Sequence, residues 1–98
     1  MESMTSLTII QRSGQAASRL FEGQMLVITS DDSMLHRLNE VGTFIWQFLD
    51  APRSIEEICA AIEQHFSDFD RNHNREEIIH FIVEMREKHL ITAGTVNE

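Results

Sequence analysis

Five histidines, one cysteine and sixteen acidic side chains are the groups of this 98-residue chain with chemistry to offer. His73 and His80, seven apart on one helical side, and His65 with His89, are the pairs to test for metal binding. No H-x-x-E-H, H-E-x-x-H or C-x-x-C spacing accompanies them, so the histidines read as solvated polar-face residues. Cys59 falls inside the apolar stripe Ile55, Ile58, Cys59, Ile62, Phe66. It therefore reads as a buried structural thiol, with no His/Asp partner in its sequence surroundings to activate it. Glu56, Glu57, Glu76 and Glu77 stand at helix starts, where the macrodipole favours acids without any catalytic role. The glycines at 14, 23, 42 and 94 are isolated, so there is no phosphate-cradling loop. The reading is a protein that is not an enzyme, with no cofactor and no metal.

Charge narrows the partners. Sixteen acids against eight bases give a formal charge of −8, and the bases are scattered along the chain. Nucleic-acid binding draws its non-specific affinity from clustered Lys and Arg, so no nucleic acid is expected. A single cysteine excludes an intramolecular disulfide and fits a reducing compartment. The opening MESMTSLTIIQRSG is neither a signal peptide nor a membrane span. A cytoplasmic protein without a membrane partner is expected.

The elements that would position any site follow from periodicity. Residues 1–14 read as a flexible or peripheral segment, with Leu7 to Ile10 as an extra strand if one forms there. Residues 15–92 form the domain, and 93–98 a tail. Ala16 to Phe21, Gln24 to Thr29 and Met34 to Leu38 read as strands, separated by a tight turn at Glu22-Gly23 and another at 30–33. Val41, Phe44, Ile45, Phe48 and Leu49 make one face of a helix over about 40–49, closed by Pro52. Ser54-Ile55-Glu56-Glu57 is a capping box opening a second helix. A third runs from about Arg75 to His89. The fold expected is α+β and winged-helix-like, a three-stranded antiparallel sheet followed by a three-helix bundle.

The third helix carries more apolar surface than one core requires. Ile78, Phe81, Ile82 and Met85 suffice for the core, leaving Ile79 and Val83, with Arg86 beside them, at the flank. Either the strands cover this flank too, or it is one wall of a groove. The third strand supplies the other wall. Met34, Leu35, His36, Arg37 and Leu38 include one formal charge and no proline, so this edge is weakly protected against pairing. An edge strand beside an apolar helix flank suits β-strand addition. The candidate peptide-binding set is Met34 to Leu38 with Ile79, Ile82, Val83 and Arg86. Trp46 reads as packing at the core boundary, and Gly42 as allowing close approach of the strand backbone.

Taken together, Leu38-Asn39-Glu40-x-Gly42-x-x-Ile45-Trp46, then Leu49-Asp50, Ser54-Ile55-Glu56-Glu57-Ile58 and Met85-x-x-x-x-Leu90-Ile91 resemble the PqqD-like proteins, or RiPP recognition elements. The resemblance runs from about Ala16 to Ile91. It implies a precursor (leader) peptide as partner, paired alongside the third strand and lying against the third helix. It also implies a separate modifying enzyme, such as a radical SAM protein or a peptidase, to which the precursor is presented. Asn39, Gly42 and Trp46 match positions that look structural. His89 departs from the family pattern, standing where glycine is frequent. Two competitors remain: a winged-helix DNA-binding regulator, disfavoured by the acidic third helix, and a structural subunit forming a homodimer through its edge strand.

Overall fold

Glu22 and Gly23 both have positive φ, 52° and 84°. Two left-handed residues in succession are the signature of the two-residue hairpin turn whose twist matches its strands. The turn joins β2 (Ala16–Phe21) to β3 (Gln24–Thr29), and β3 also pairs with β4 (Leu35–Arg37). The computed structural model describes residues 7–29, 34–68 and 71–94, with the backbone alone for 71–73. The expected turn at 30–33 lies outside the described residues. The antiparallel order β2-β3-β4 is otherwise the meander expected from sequence, and Leu26 stands between Arg19 and Arg37.

Three helices follow the meander. α1 (Glu40–Phe48) is capped by Asn39, whose Oδ1 accepts from the Gly42 amide at 2.8 Å. α2 (Ile55–His65) opens with the expected capping box: the Ser54 hydroxyl accepts from Glu57 N–H at 3.0 Å, and the Glu57 carboxylate accepts from Ser54 N–H at 2.8 Å. α3 (Arg71–Glu87) begins four residues before its sequence-based start. It ends where Leu90 N–H donates to Met85 O and His89 N–H to Arg86 O, both at 3.0 Å. These are the paired bonds of a Schellman motif, which puts His89 at the left-handed position, φ 66°. The glycine favoured there by the family pattern has a physical reason: only glycine adopts that φ without a Cβ penalty.

The largest departure from the sequence reading is a second sheet. β1 (Ile9–Arg12) is its central strand, with β5 (Arg53–Ser54) on one side and β6 (Ile91–Gly94) on the other. Residues 9–12 are thus not peripheral: Ile10 is fully buried and Ile9 pairs with both Ser54 and Gly94. Nor do Ala93 and Gly94 belong to a tail; they are the end of β6. Residues 1–6 and 95–98 lie outside the described residues. Arg12 further ties β1 to the bundle, donating from Nε and Nη2 to the Trp46 carbonyl at 3.1 and 2.6 Å. Its guanidinium also stacks over the Trp46 ring, 5.0 Å from the centroid.

One core joins both sheets and all three helices. It holds Met25, Val27 and Leu38 from the meander, Ile45, Trp46 and Leu49 from α1, and Ile55, Ile58, Cys59 and Ile62 from α2. Ile78, Ile82 and Met85 complete it from α3, with Ile10, Leu90 and Ile91 from the second sheet. Trp46 is a full core residue rather than a boundary one. Cys59 sits where its stripe placed it, buried in the core.

Candidate functional site

The backbone of β4 has a defined polarity. A two-residue hairpin closes on a hydrogen-bonded pair, here Phe21 and Gln24, and bonding then alternates along the strands. Alternation turns the backbone groups of Met25 and Val27 toward β4. Leu38 N–H accordingly donates to Met25 O at 2.9 Å. In β4, therefore, His36 faces β3 with its backbone, while Leu35 and Arg37 aim their N–H and C=O groups outward along the open edge. Thr43 fixes this edge to α1. Its hydroxyl accepts from Met25 N–H at 3.0 Å and donates to Leu38 O at 3.3 Å.

Side chains alternate in the same way. His36 stands opposite fully buried Val27 and shares its inward face. Leu35 and Met34 are 60% and 57% exposed, and Leu38 is buried in the core. Between β4 and α3 lies a cleft of about 410 Å³. The strand wall is Leu35 to Asn39; the helix wall is Phe81, Glu84, Met85 and Lys88, with Leu90 below. Phe81 also lines a second hollow with Val41, Ile62, Phe66 and Ile78, so it borders both.

The β4 residues proposed from sequence line this cleft, but the helical ones do not. At ~100° per residue, Phe81, Met85, Glu84 and Lys88 lie on one side of Ile82, while Ile79, Val83 and Arg86 lie on the other. Ile82 is fully buried and offers no surface to a partner. Ile79 packs against the core, and Arg86 borders Ser13, Gln15, Ile91, Thr92 and Ala93 on the β1–β6 side. Of the over-wide apolar arc of α3, Ile79 packs on the core, Val83 is half-buried, and Arg86 lies beside residues of the second sheet. Phe81 and Met85, assigned to the core, and Glu84 and Lys88, given no role, were missed as cleft residues. The signal present was Gly42. An alanine Cβ there would lie 2.7 Å from Phe81 Cζ and 3.2 Å from the Leu38 Cβ, so the close approach is of side chains rather than strand backbone.

Of the histidine pairs, His73 lies outside the described side chains, and His65 stacks on Phe44 with centroids 4.4 Å apart. Among the described residues, no three His, Cys, Asp or Glu side chains gather to hold a metal ion. No described helix is long and apolar enough to cross a membrane.

A winged-helix-like α+β domain with an open strand edge running beside its last helix is the class that fold and cleft define. Residues 24–91 match the family model described as Coenzyme PQQ synthesis protein D (PqqD). The chain belongs to the PqqD family. Among solved structures it is similar to a chain described as TbiB1 in complex with the TbiA(beta) leader peptide. That similarity has a TM-score of 0.77 at 22% identity, covering 89% of this chain and 99% of the other. No curated protein matches the chain.

Proposed function

We propose that this chain binds the leader of a ribosomally made precursor peptide as an added strand on β4, against α3. Holding the leader there would present the rest of the precursor to a separate modifying enzyme, by raising its effective concentration. The observation that carries the reading is the pair of outward backbones at Leu35 and Arg37, beside a cleft with apolar lining from Phe81, Met85 and Leu90. Backbone bonding supplies affinity on such an edge, and pockets for alternate side chains supply selectivity. Membership of the PqqD family and likeness to a chain solved with a leader peptide support it. The binding role requires no catalytic group.

The set now proposed keeps Leu35, His36 and Arg37 on the strand and Leu38 just after it, and leaves out Met34, which precedes β4 and does not line the cleft. It replaces Ile79, Ile82, Val83 and Arg86 by Phe81, Glu84, Met85 and Lys88 on the helix. Titration calorimetry of the full chain with the leader half of a precursor encoded beside it tests the reading. Saturable binding that a scrambled peptide does not reproduce is expected; equal heats from both peptides would defeat it.

A further inference from the structure

The meander has a second open edge. β2 runs six residues with no proline and one formal charge, Arg19, and every position from Ala17 to Phe21 is exposed. Leu20 and Phe21 are 51% and 54% exposed. Such a strand lacks the usual guards against pairing with another chain. The alternation that orients β4 also orients β2. Phe21, Arg19 and Ala17 bond to β3, so Ser18 and Leu20 direct their N–H and C=O groups outward. Ala16 N–H agrees with this, turning away from β3 to donate to Ser13 O at 3.2 Å.

We propose that β2 pairs antiparallel with β2 of a second copy, about a twofold axis through Ser18, to give one continuous six-stranded sheet. The commitment to a second copy rests on self-complementarity. A twofold perpendicular to the sheet keeps like faces together, so the axis passes through a residue position. Centred on Arg19, it would set two guanidinium groups directly opposite, which is destabilising. Centred on Ser18, it sets Ser18 opposite its own copy, Leu20 opposite Ala16, and Arg19 opposite Ala17. Like charges no longer stand directly opposite, the two Arg19 being diagonal to each other, and the exposed Leu20 is covered. β2 lines none of the cavities described above, which suits flat self-pairing better than a ligand needing pockets. Both β4 edges stay open at the far ends of the joint sheet, so the dimer and the proposed peptide site do not compete. Each copy carries a formal charge of −8, so the copies repel at long range, and added salt strengthens the pairing.

Light scattering on the full chain from about 10 μM to about 1 mM, a range suited to a weak pair, reads this directly. The mass should rise from 11.3 kDa toward twice that value, at lower concentration in higher salt. Ser18→Pro removes an outward donor that β3 does not use and should stay monomeric with an unchanged circular dichroism spectrum. Leu20→Lys gives a second route to the monomer if the proline variant misfolds. Cys59 is buried, so a cysteine at 18 supplies the accessible thiol. Ser18→Cys should form a disulfide-linked dimer several-fold faster than Arg19→Cys, whose partner position is Ala17. A parent monomeric throughout, folded variants at 18 and 20 that dimerise like the parent, equal cross-linking of the two thiols, or a different chain captured at β2 would each overturn it. Peptide titration on the same variants is a separate readout, and its failure would bear on the leader-binding reading instead.

Discussion

Phe81 lies across Gly42, so closely that a Cβ at Gly42 would stand 2.7 Å from its ring tip. This contact joins the first turn of α1 to the helix wall of the cleft. A glycine inside a helix costs about 1 kcal/mol relative to alanine, so the position is held by packing rather than propensity. Leu38 on the other side of Gly42 belongs to the core, which leaves the Phe81 ring as the part able to yield.

Gly42→Ala should therefore act on binding more than on stability. The gain in helix propensity offsets part of an overpacking cost of about 1–3 kcal/mol, for a net loss of about 1 kcal/mol in urea denaturation. The displaced ring moves into the cleft, and leader affinity falls several-fold. A variant that binds like the parent would show that Phe81 is not a wall of the site.

Helix-face exchange separates the two readings of α3. Phe81→Ala and Lys88→Glu should each weaken leader binding, the first through lost apolar contact and the second in a salt-dependent way. Val83→Asp and Arg86→Glu should leave affinity unchanged in protein that remains folded. Calorimetry on the four variants, with circular dichroism as the folding check, gives the answer. Loss of binding confined to the 83 and 86 variants would restore the flank facing β6 as the site.

Arg12 ends β1, which overlaps the extra strand that the sequence allowed at Leu7 to Ile10. Arg12→Met removes two hydrogen bonds to the Trp46 carbonyl and the stacking on its ring, and should cost roughly 2 kcal/mol. Deleting residues 1–14 removes buried Ile10 and leaves β5 and β6 unpaired. That chain should lose its cooperative thermal transition. A truncated form melting like the parent would make the N-terminal strand dispensable.

His89 occupies a left-handed position at the end of α3. A side chain there carries a penalty of about 1–2 kcal/mol, part of which glycine returns through its greater freedom in the unfolded chain. His89→Gly should raise stability by about 0.5–1 kcal/mol, read as a higher urea midpoint at unchanged slope. A lower midpoint would mean that the imidazole contributes more than its backbone costs.

Local signals explain what was legible beforehand. The Glu22-Gly23 turn, the Ser54–Glu57 capping box and the Ile55–Ile62 stripe are each written within a few residues, and the meander, α1 and α2 follow from them. The second sheet is not written that way. Ile9 meets Gly94, and β5 is two residues long, so neither has a periodicity of its own to read. Without that sheet in view, the flank of Ile79, Val83 and Arg86 reads as a groove wall, whereas the structure sets Arg86 beside the second sheet and the β4 cleft on the other side of α3. The strand wall of the candidate cleft was legible because an unguarded edge is a local property. The helix wall depended on which of two flanks would lie beside a distant sheet.

Outward amides on β4 are the central claim, and hydrogen exchange resolved at Leu35 and Arg37 tests it most directly. Both should exchange fast in the free chain, having no partner among the described residues. Saturating leader peptide should slow both by at least an order of magnitude, while Arg37→Pro, which removes one donor without touching the β3 pairing, lowers affinity. Bound leader with Leu35 and Arg37 exchanging as fast as before would contradict strand addition at β4.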